Sequence, residues 1–293
     1  MKQLITAVAA ILVSTASFAQ FQVSASTGYA MSSAGMKLGA TTTETSTENY
    51  YGSYGEGSNV QIRGTYFLNE KFGLEIGLGY LHGADQTISK GNVDNNGNYD
   101  ENIDVDAVAR ARAFGASASM VYNFTENFYG RIGALIKVGG KTEAVAYRKE
   151  VFSDPVAAAQ GLPSGSYSET NFVEDYHWQF PLGFVGALGY SFDLDEHFSL
   201  FVEAEYYGIS LKRKDSEITE FNSNIHTPDD NIVAVLTLDD LPLIPQGIYK
   251  NTTYVDELPH NNTDGSKKLS QKVPYSSFGL NFGVTYKFSG SNK

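Results

Sequence analysis

The chain contains no cysteine, so no disulfide can staple it and no N-terminal thiol can carry a lipid. Beyond its first twenty residues it has no run of 18 apolar residues, which removes a membrane-crossing helix. Histidine is scarce: the five (His82, His177, His197, His226, His260) are scattered without metal-ligand spacing. No Gly-x-Ser-x-Gly elbow or other nucleophile signature occurs, and no cofactor motif is complete, so nothing here points to an enzyme. Basic charge is also short. A net charge of −12 disfavours nucleic acid and other anionic partners by simple repulsion.

What the N-terminus does have is an export pattern. Lys2 supplies a positive end, Leu4–Val13 is an apolar run, and Ser17-Phe18-Ala19 places small residues where a signal peptidase reads. The run is shorter than the ~20 residues of a spanning helix. The expectation is a signal peptide over 1–19 and one domain over 20–293, starting at Gln20. Phenylalanine and tyrosine are abundant, 18 and 19 residues, in a chain whose mean hydropathy is −0.24. Alternating strands produce that combination, because every second residue is polar.

The stretch Tyr275–Phe288 shows the alternation most clearly. Phe278, Leu280, Phe282, Val284, Tyr286 and Phe288 share one parity; Gly279, Asn281, Gly283, Thr285 and Lys287 share the other. Successive side chains of a strand point to opposite faces. A large apolar row backed by glycines and short polar groups suits a wall with lipid outside and a narrow polar interior. Six further runs repeat the pattern, starting at Phe21, Asn59, Gly73, Phe114, Phe128 and Phe198, and an eighth strand spans Phe180–Phe192. Arg110 and Arg112 fall on the lipid parity of the fourth strand. A bare arginine at mid-bilayer costs roughly 2–4 kcal/mol, so they are expected to stand above the lipid.

Three segments resemble one another: Phe67–Phe72, Phe124–Phe128 and Leu194–Phe198. Each is a tight polar turn containing Glu that resumes with Phe, which is hairpin chemistry. Between them lie four long polar segments at 32–57, 84–105, 141–175 and 213–268, each net negative, so the rest of the chain is nearly neutral. Three short turns and two termini on one side, with four loops on the other, require eight strands.

The ending Gly283-x-x-Tyr286-x-Phe288 resembles the C-terminal signal by which bacterial outer-membrane barrels are recognised by the insertion machinery. The whole mature chain resembles the small barrels of the OmpA, OmpX and OmpW kind. That resemblance implies an all-β, eight-stranded antiparallel up-and-down transmembrane barrel in a Gram-negative outer membrane. It further implies periplasmic termini and turns, extracellular loops, a monomer, and contact with outer-membrane lipid and lipopolysaccharide. A soluble sandwich or lipocalin-like barrel is the competing reading; it would hide apolar residues and expose charge.

The inward parity collects Arg63, Arg131, Lys137 and Lys287 against Glu75, Glu203 and Glu205, with Gln61 and Asn281. Charges withdrawn from water persist only when paired and hydrogen-bonded. Eight strands leave an interior just wide enough for side chains, so a plugged lumen is expected. The competing uses are a narrow gated ion path along Glu203, Glu205 and Arg131, or passage of small or apolar solutes. Asp94–Glu101 resembles a calcium loop in part, with Gly97 misplaced and the last Glu too early. The segment 213–268 is the expected place for an extracellular ligand. Its stretch Asn231–Tyr249 is strongly apolar for a loop, which suits a lid over the mouth, an extra hairpin, or a partner site; the lid is preferred.

Overall fold

The computed structural model describes residues 21–33, 35–243 and 248–288. The expected signal peptide, the start at Gln20 and the trailing Ser289–Lys293 lie outside the described residues. The chain begins with β1 (Phe21–Ser32), which continues into β2 (Met36–Thr42); β3 (Thr47–Gly52) leads back into β4 (Gly57–Phe67). After a tight turn, β5 (Phe72–Gly83) and β6 (Gln86–Gly91) precede the long β7 (Ile103–Asn123). A second tight turn leads to β8 (Phe128–Val151), then a short helix α1 (Asp154–Ala159), β9 (Tyr167–Trp178) and β10 (Leu182–Asp193). A third leads to β11 (Phe198–Gly208) and β12 (Ser210–His226). The remaining strands are β13 (Ile232–Thr237), β14 (Asn251–Val255), β15 (Lys267–Leu269), β16 (Lys272–Pro274) and β17 (Ser277–Lys287), with a 3-10 turn at Leu238–Leu243.

Antiparallel pairing runs β1–β4–β5–β7–β8–β10–β11–β17 and returns to β1. The last strand thus closes the path, pairing Tyr286 with Val23 on one edge and with Phe198 on the other. Closure leaves this part of the sheet with no free edge.

Alternation predicts eight strands; the described residues contain seventeen, eight of which form the closed path. Polarity alone marks 32–57, 84–105, 141–175 and 213–268 as loops, yet each contains strands of the sheet. β7 starts at Ile103 rather than Phe114, β8 runs on to Val151, and β9 and β12 pair along most of their length. The reason is that a strand wetted on its outer face loses the large apolar row that makes alternation visible. Phe180 and Pro181 precede β10 and separate it from β9, as a residue without a ladder donor should.

The three turns are built alike, which explains their similarity. The residue three before the returning phenylalanine accepts two backbone N–H groups: Asn69 from Lys71 and Phe72, Thr125 from Asn127 and Phe128, Asp195 from His197 and Phe198. The residue before it, Leu68, Phe124 or Leu194, donates its N–H to the carbonyl of the returning Phe72, Phe128 or Phe198 at 2.7–2.8 Å.

Around the closed ring, polarity is inverted relative to a water-soluble protein. Ile62, Leu74, Ile76, Leu78, Ile132, Leu188 and Phe282 are exposed, Ile76 by 72%. Arg63, Glu75, Arg131 and Glu203 are buried, Glu203 to 1% exposure. The inversion ends within β7. Ala107, Ala109, Ala111 and Ala113 are buried on the face that Ser119 and Val121 occupy lower down. On the opposite face Arg110 and Arg112 give way to Phe114 and Met120. Arg110 bonds to Glu143 at 3.1 Å and lies 3.5 Å from Asp85, while Arg112 donates to the Gly83 carbonyl at 2.8 Å. Both arginines therefore sit beyond the apolar band, as expected. Above it the interior becomes an apolar core around Ala111, Ile209, Leu211, Val273 and Tyr275.

Aromatic rings cluster at the turn end of the band. Phe21 packs on Phe288, Phe288 on Tyr286 and Tyr286 on Phe198, while Phe72, Tyr122, Phe124 and Phe128 form a second chain of contacts. At the opposite end stand the pairs Tyr80–Phe114 and Phe184–Tyr206.

Candidate functional site

Five of the seven predicted interior charges meet at one level of the ring. Glu203, on β11, accepts from Arg63 Nη1 at 2.8 and 3.0 Å, from Arg131 Nη2 at 2.9 Å and from the Tyr129 hydroxyl at 3.0 Å. Glu205, one pleat higher on the same face, accepts from Arg131 Nη2, from Gln61 Nε2 at 2.7 Å and from Asn281 Nδ2 at 2.6 Å. Glu75 takes a hydrogen bond from Thr65 at 3.0 Å and lies 3.6 Å from Arg131 Nη1 and 3.9 Å from Arg63 Nε. The Arg63 guanidinium also stacks over the Phe201 ring, 5.0 Å from its centroid. Strands β4, β5, β8, β11 and β17 each supply a member, so the network ties opposite walls together.

Lys137 and Lys287 do not belong to it. Lys137 donates to the Gly140 carbonyl at 3.1 Å and faces Trp178 at 6.0 Å; Lys287 pairs with Asp193 beside the third turn at 2.5 Å. The expected four-to-three balance is therefore two guanidiniums against three carboxylates. Tyr129 and Thr65 add hydrogen bonds to Glu203 and Glu75 and were not singled out in the alternation.

The glycine row has a packing cause. Tyr129 stands directly opposite Gly189 and Phe201 directly opposite Gly283. A Cβ at Gly189 would strike the Tyr129 ring, and one at Gly283 the Phe201 ring. The missing side chains are the space into which the neighbouring strand's ring lies across the interior.

The network divides the interior. On the turn side lies a polar vestibule of about 450 Å³, bounded by Arg63, Glu75, Tyr129, Phe201 and Lys287. On the far side lies a cavity of about 100 Å³ lined by Gln61, Leu135, Lys137, Tyr207, Ile209 and Tyr275. No residue lines both. The upper cavity also reaches outward-facing Tyr80, Phe114 and Ile136 through a stretch of wall thinned by Gly77, Gly79 and Gly115. Pairing slips there: Phe114 meets Gly139 while Gly115 meets Lys137, leaving Val138 as a bulge.

The other sequence candidates resolve simply. Asp94 accepts the backbone N–H of Asn96 and Asn98, both at 2.8 Å. Its carboxyl is held below the usual aspartate value, chiefly by the Asn98 N–H. The carboxylate thus orders its own loop, and no group of metal-binding side chains occurs among the described residues. His177 pairs with Asp215 at 2.7 Å outside the ring, with no serine bonded to it among the described residues. The described part of Asn231–Tyr249 contains the hairpin strand β13, exposed except at Leu236, whereas the sequence favours a lid; Leu241 is buried against Ile218 and Phe221, with Leu236 and Leu238 packed beside it.

The structure can be aligned with outer membrane protein OprG from Pseudomonas aeruginosa, at 13% identity over 93% of this chain and 97% of that one, TM-score 0.37. It also aligns with Neisserial surface protein A, at 14% identity over 92% and 97%, TM-score 0.29. No protein-family model and no curated protein matches the sequence.

Proposed function

We propose that this chain is an integral outer-membrane β-barrel of a Gram-negative bacterium whose lumen is sealed, acting as a non-enzymatic envelope scaffold and surface-interaction module. In this reading the eight-stranded ring spans the membrane. The three tight turns and the termini are periplasmic, and the sheeted extensions stand outside the cell. The inverted polarity of the ring supports the membrane placement, since only a lipid surround rewards an exposed Ile76 over a buried Glu203. Gly283, Tyr286 and Phe288 end the closing strand as an insertion signal, and the barrel works as a monomer against outer-membrane lipid and lipopolysaccharide.

One observation carries the sealed lumen: two cavities with no common wall, separated by a cross-strand ion network. Every carboxylate in the barrier faces an arginine, so opening a path for ions breaks buried charge pairs. Recording from the purified protein in planar bilayers tests this. Short, rare openings or none are expected; a steady conductance of porin size contradicts it.

The upper cavity favours a second reading, a receptor for small apolar solutes that exchange with the membrane through the wall rather than through the lumen. Its apolar lining and the thinned, bulged wall beside Tyr80 and Phe114 support this. Filling the cavity with Gly79→Leu should abolish retention of a fluorescent apolar probe while leaving the barrel folded; unchanged retention refutes it.

A further inference from the structure

Exposed apolar residues in the ring are covered by lipid in the reading above, but β13 lies out of its reach. It pairs with Asn222–His226 of β12, 14 residues beyond Gly208, where the ring portion of that path ends. At about 3.3 Å per residue that is roughly 45 Å along the strand. Yet Ile232, Val233 and Val235 are 55, 51 and 49% exposed. The strand Ile-Val-Ala-Val-Leu-Thr has no charge, no proline and high β propensity. Its one paired neighbour among the described residues is β12, so alternate N–H and C=O groups on its other edge point to water. A bulge at Val233 interrupts the pairing near the hairpin tip; from Ala234 to Leu236 the edge is regular and open, and at Thr237 the N–H donates to the Asp240 carboxylate at 2.7 Å. Soluble edges of this kind are ordinarily guarded by lysine, proline or a covering element.

We propose that the free edge of β13 is a docking site for an extended segment of another protein, which adds as a strand and carries basic residues at its ends. The charges flanking β13 select this occupant. Asp229 and Asp230 precede the strand, and Asp239 and Asp240 follow it, with Asp229, Asp230 and Asp239 exposed. A second copy of this chain pairing antiparallel through Ile232–Thr237 would bring the first aspartate pair against the other copy's second pair, at both ends. Like charges facing one another disfavour that arrangement. A strand with apolar residues at alternate positions and Lys or Arg at each end meets the same four carboxylates favourably. The inference rests on the membrane placement of the ring, which sets β13 above the lipid.

The test uses the full-length protein in lipid vesicles and a synthetic peptide of alternating valine and threonine with two lysines at each end. Saturable binding is expected, weakened by salt, with slowed amide exchange confined to Ala234–Leu236 and their neighbours in the hairpin. A glutamate-flanked version should bind about tenfold more weakly or worse. Val235→Lys should weaken the lysine-flanked peptide by about tenfold or more, and the pair Asp229→Asn with Asp239→Asn should weaken it while leaving heat-modifiable migration unchanged. Equal affinity for both peptides, no binding, or self-association of the protein that Val235→Lys abolishes would each overturn the proposal. Insertion of the same preparation into vesicles reports separately on the membrane reading: a protein that inserts and ignores the peptide sinks only the docking site.

Discussion

Replacing Arg131 by methionine probes the network at its most connected point. The guanidinium contacts Glu203, Glu205 and Glu75, and its removal leaves Arg63 alone against three carboxylates. The formal charge of the cluster moves from −1 to −2 in a region where Glu203 and Glu205 are each 1% exposed. Glu205 then keeps neutral donors, Gln61 and Asn281 among them. Removing one partner from a buried ion pair costs about 3–5 kcal/mol, because the other charge stays desolvated. Urea unfolding in detergent micelles, followed through Trp178, reads that loss. Adding Glu205→Gln restores the charge count and keeps a hydrogen-bonding group beside Gln61 and Asn281, so the double variant should regain about 1–3 kcal/mol. An Arg131→Met protein within about 1 kcal/mol of wild type would refute the network as the element that holds the interior together.

Three further outcomes are expected. Gly189→Ala should destabilise the protein by about 1–3 kcal/mol by overpacking against the Tyr129 ring, and by less in a Tyr129→Ala background; equal costs in both would remove the ring-over-glycine explanation. Thr125→Ala removes the acceptor shared by the Asn127 and Phe128 N–H groups and should cost about 1 kcal/mol, seen as a lower unfolding midpoint. Outside the membrane band, hydrogen bonds from Lys141 and then Arg110 hold the Glu143 carboxyl below its ordinary 4.5. A depressed folded-state value stabilises above 4.5 and loses that contribution as pH falls through the lowered value. The acid limb of stability should therefore flatten in Glu143→Gln, and an identical pH profile would contradict the pairing.

The sequence made the faces of the ring legible but not the heights of residues upon it. Parity puts Lys137 and Arg131 on one face of one strand, yet six residues separate them by ~20 Å. The same spacing separates Lys287 from Asn281 in the other direction. Both lysines therefore have the right orientation and the wrong level, which is why the network holds five of the seven expected charges. Alternation also made the glycine row visible without its cause, since that depends on which ring lies opposite in the neighbouring strand. The extensions were the least legible part. Water wets the outer face of β9 and β12, so burial no longer imposes a large apolar residue at every second position, and only pairing with a neighbour reveals the strand. The β13 stretch was conspicuous in composition, and its use as an exposed edge emerged only from its register against β12.

Spin labels placed at Ile76, Ile132 and Val235 in a chain without native cysteine test the central claim most directly. Reconstituted in vesicles, labels at Ile76 and Ile132 should collide readily with oxygen and barely with a water-soluble nickel chelate, while a label at Val235 should show the reverse. High chelate accessibility at Ile76 or Ile132 would contradict a lipid-facing ring, and with it the sealed barrel built upon that ring.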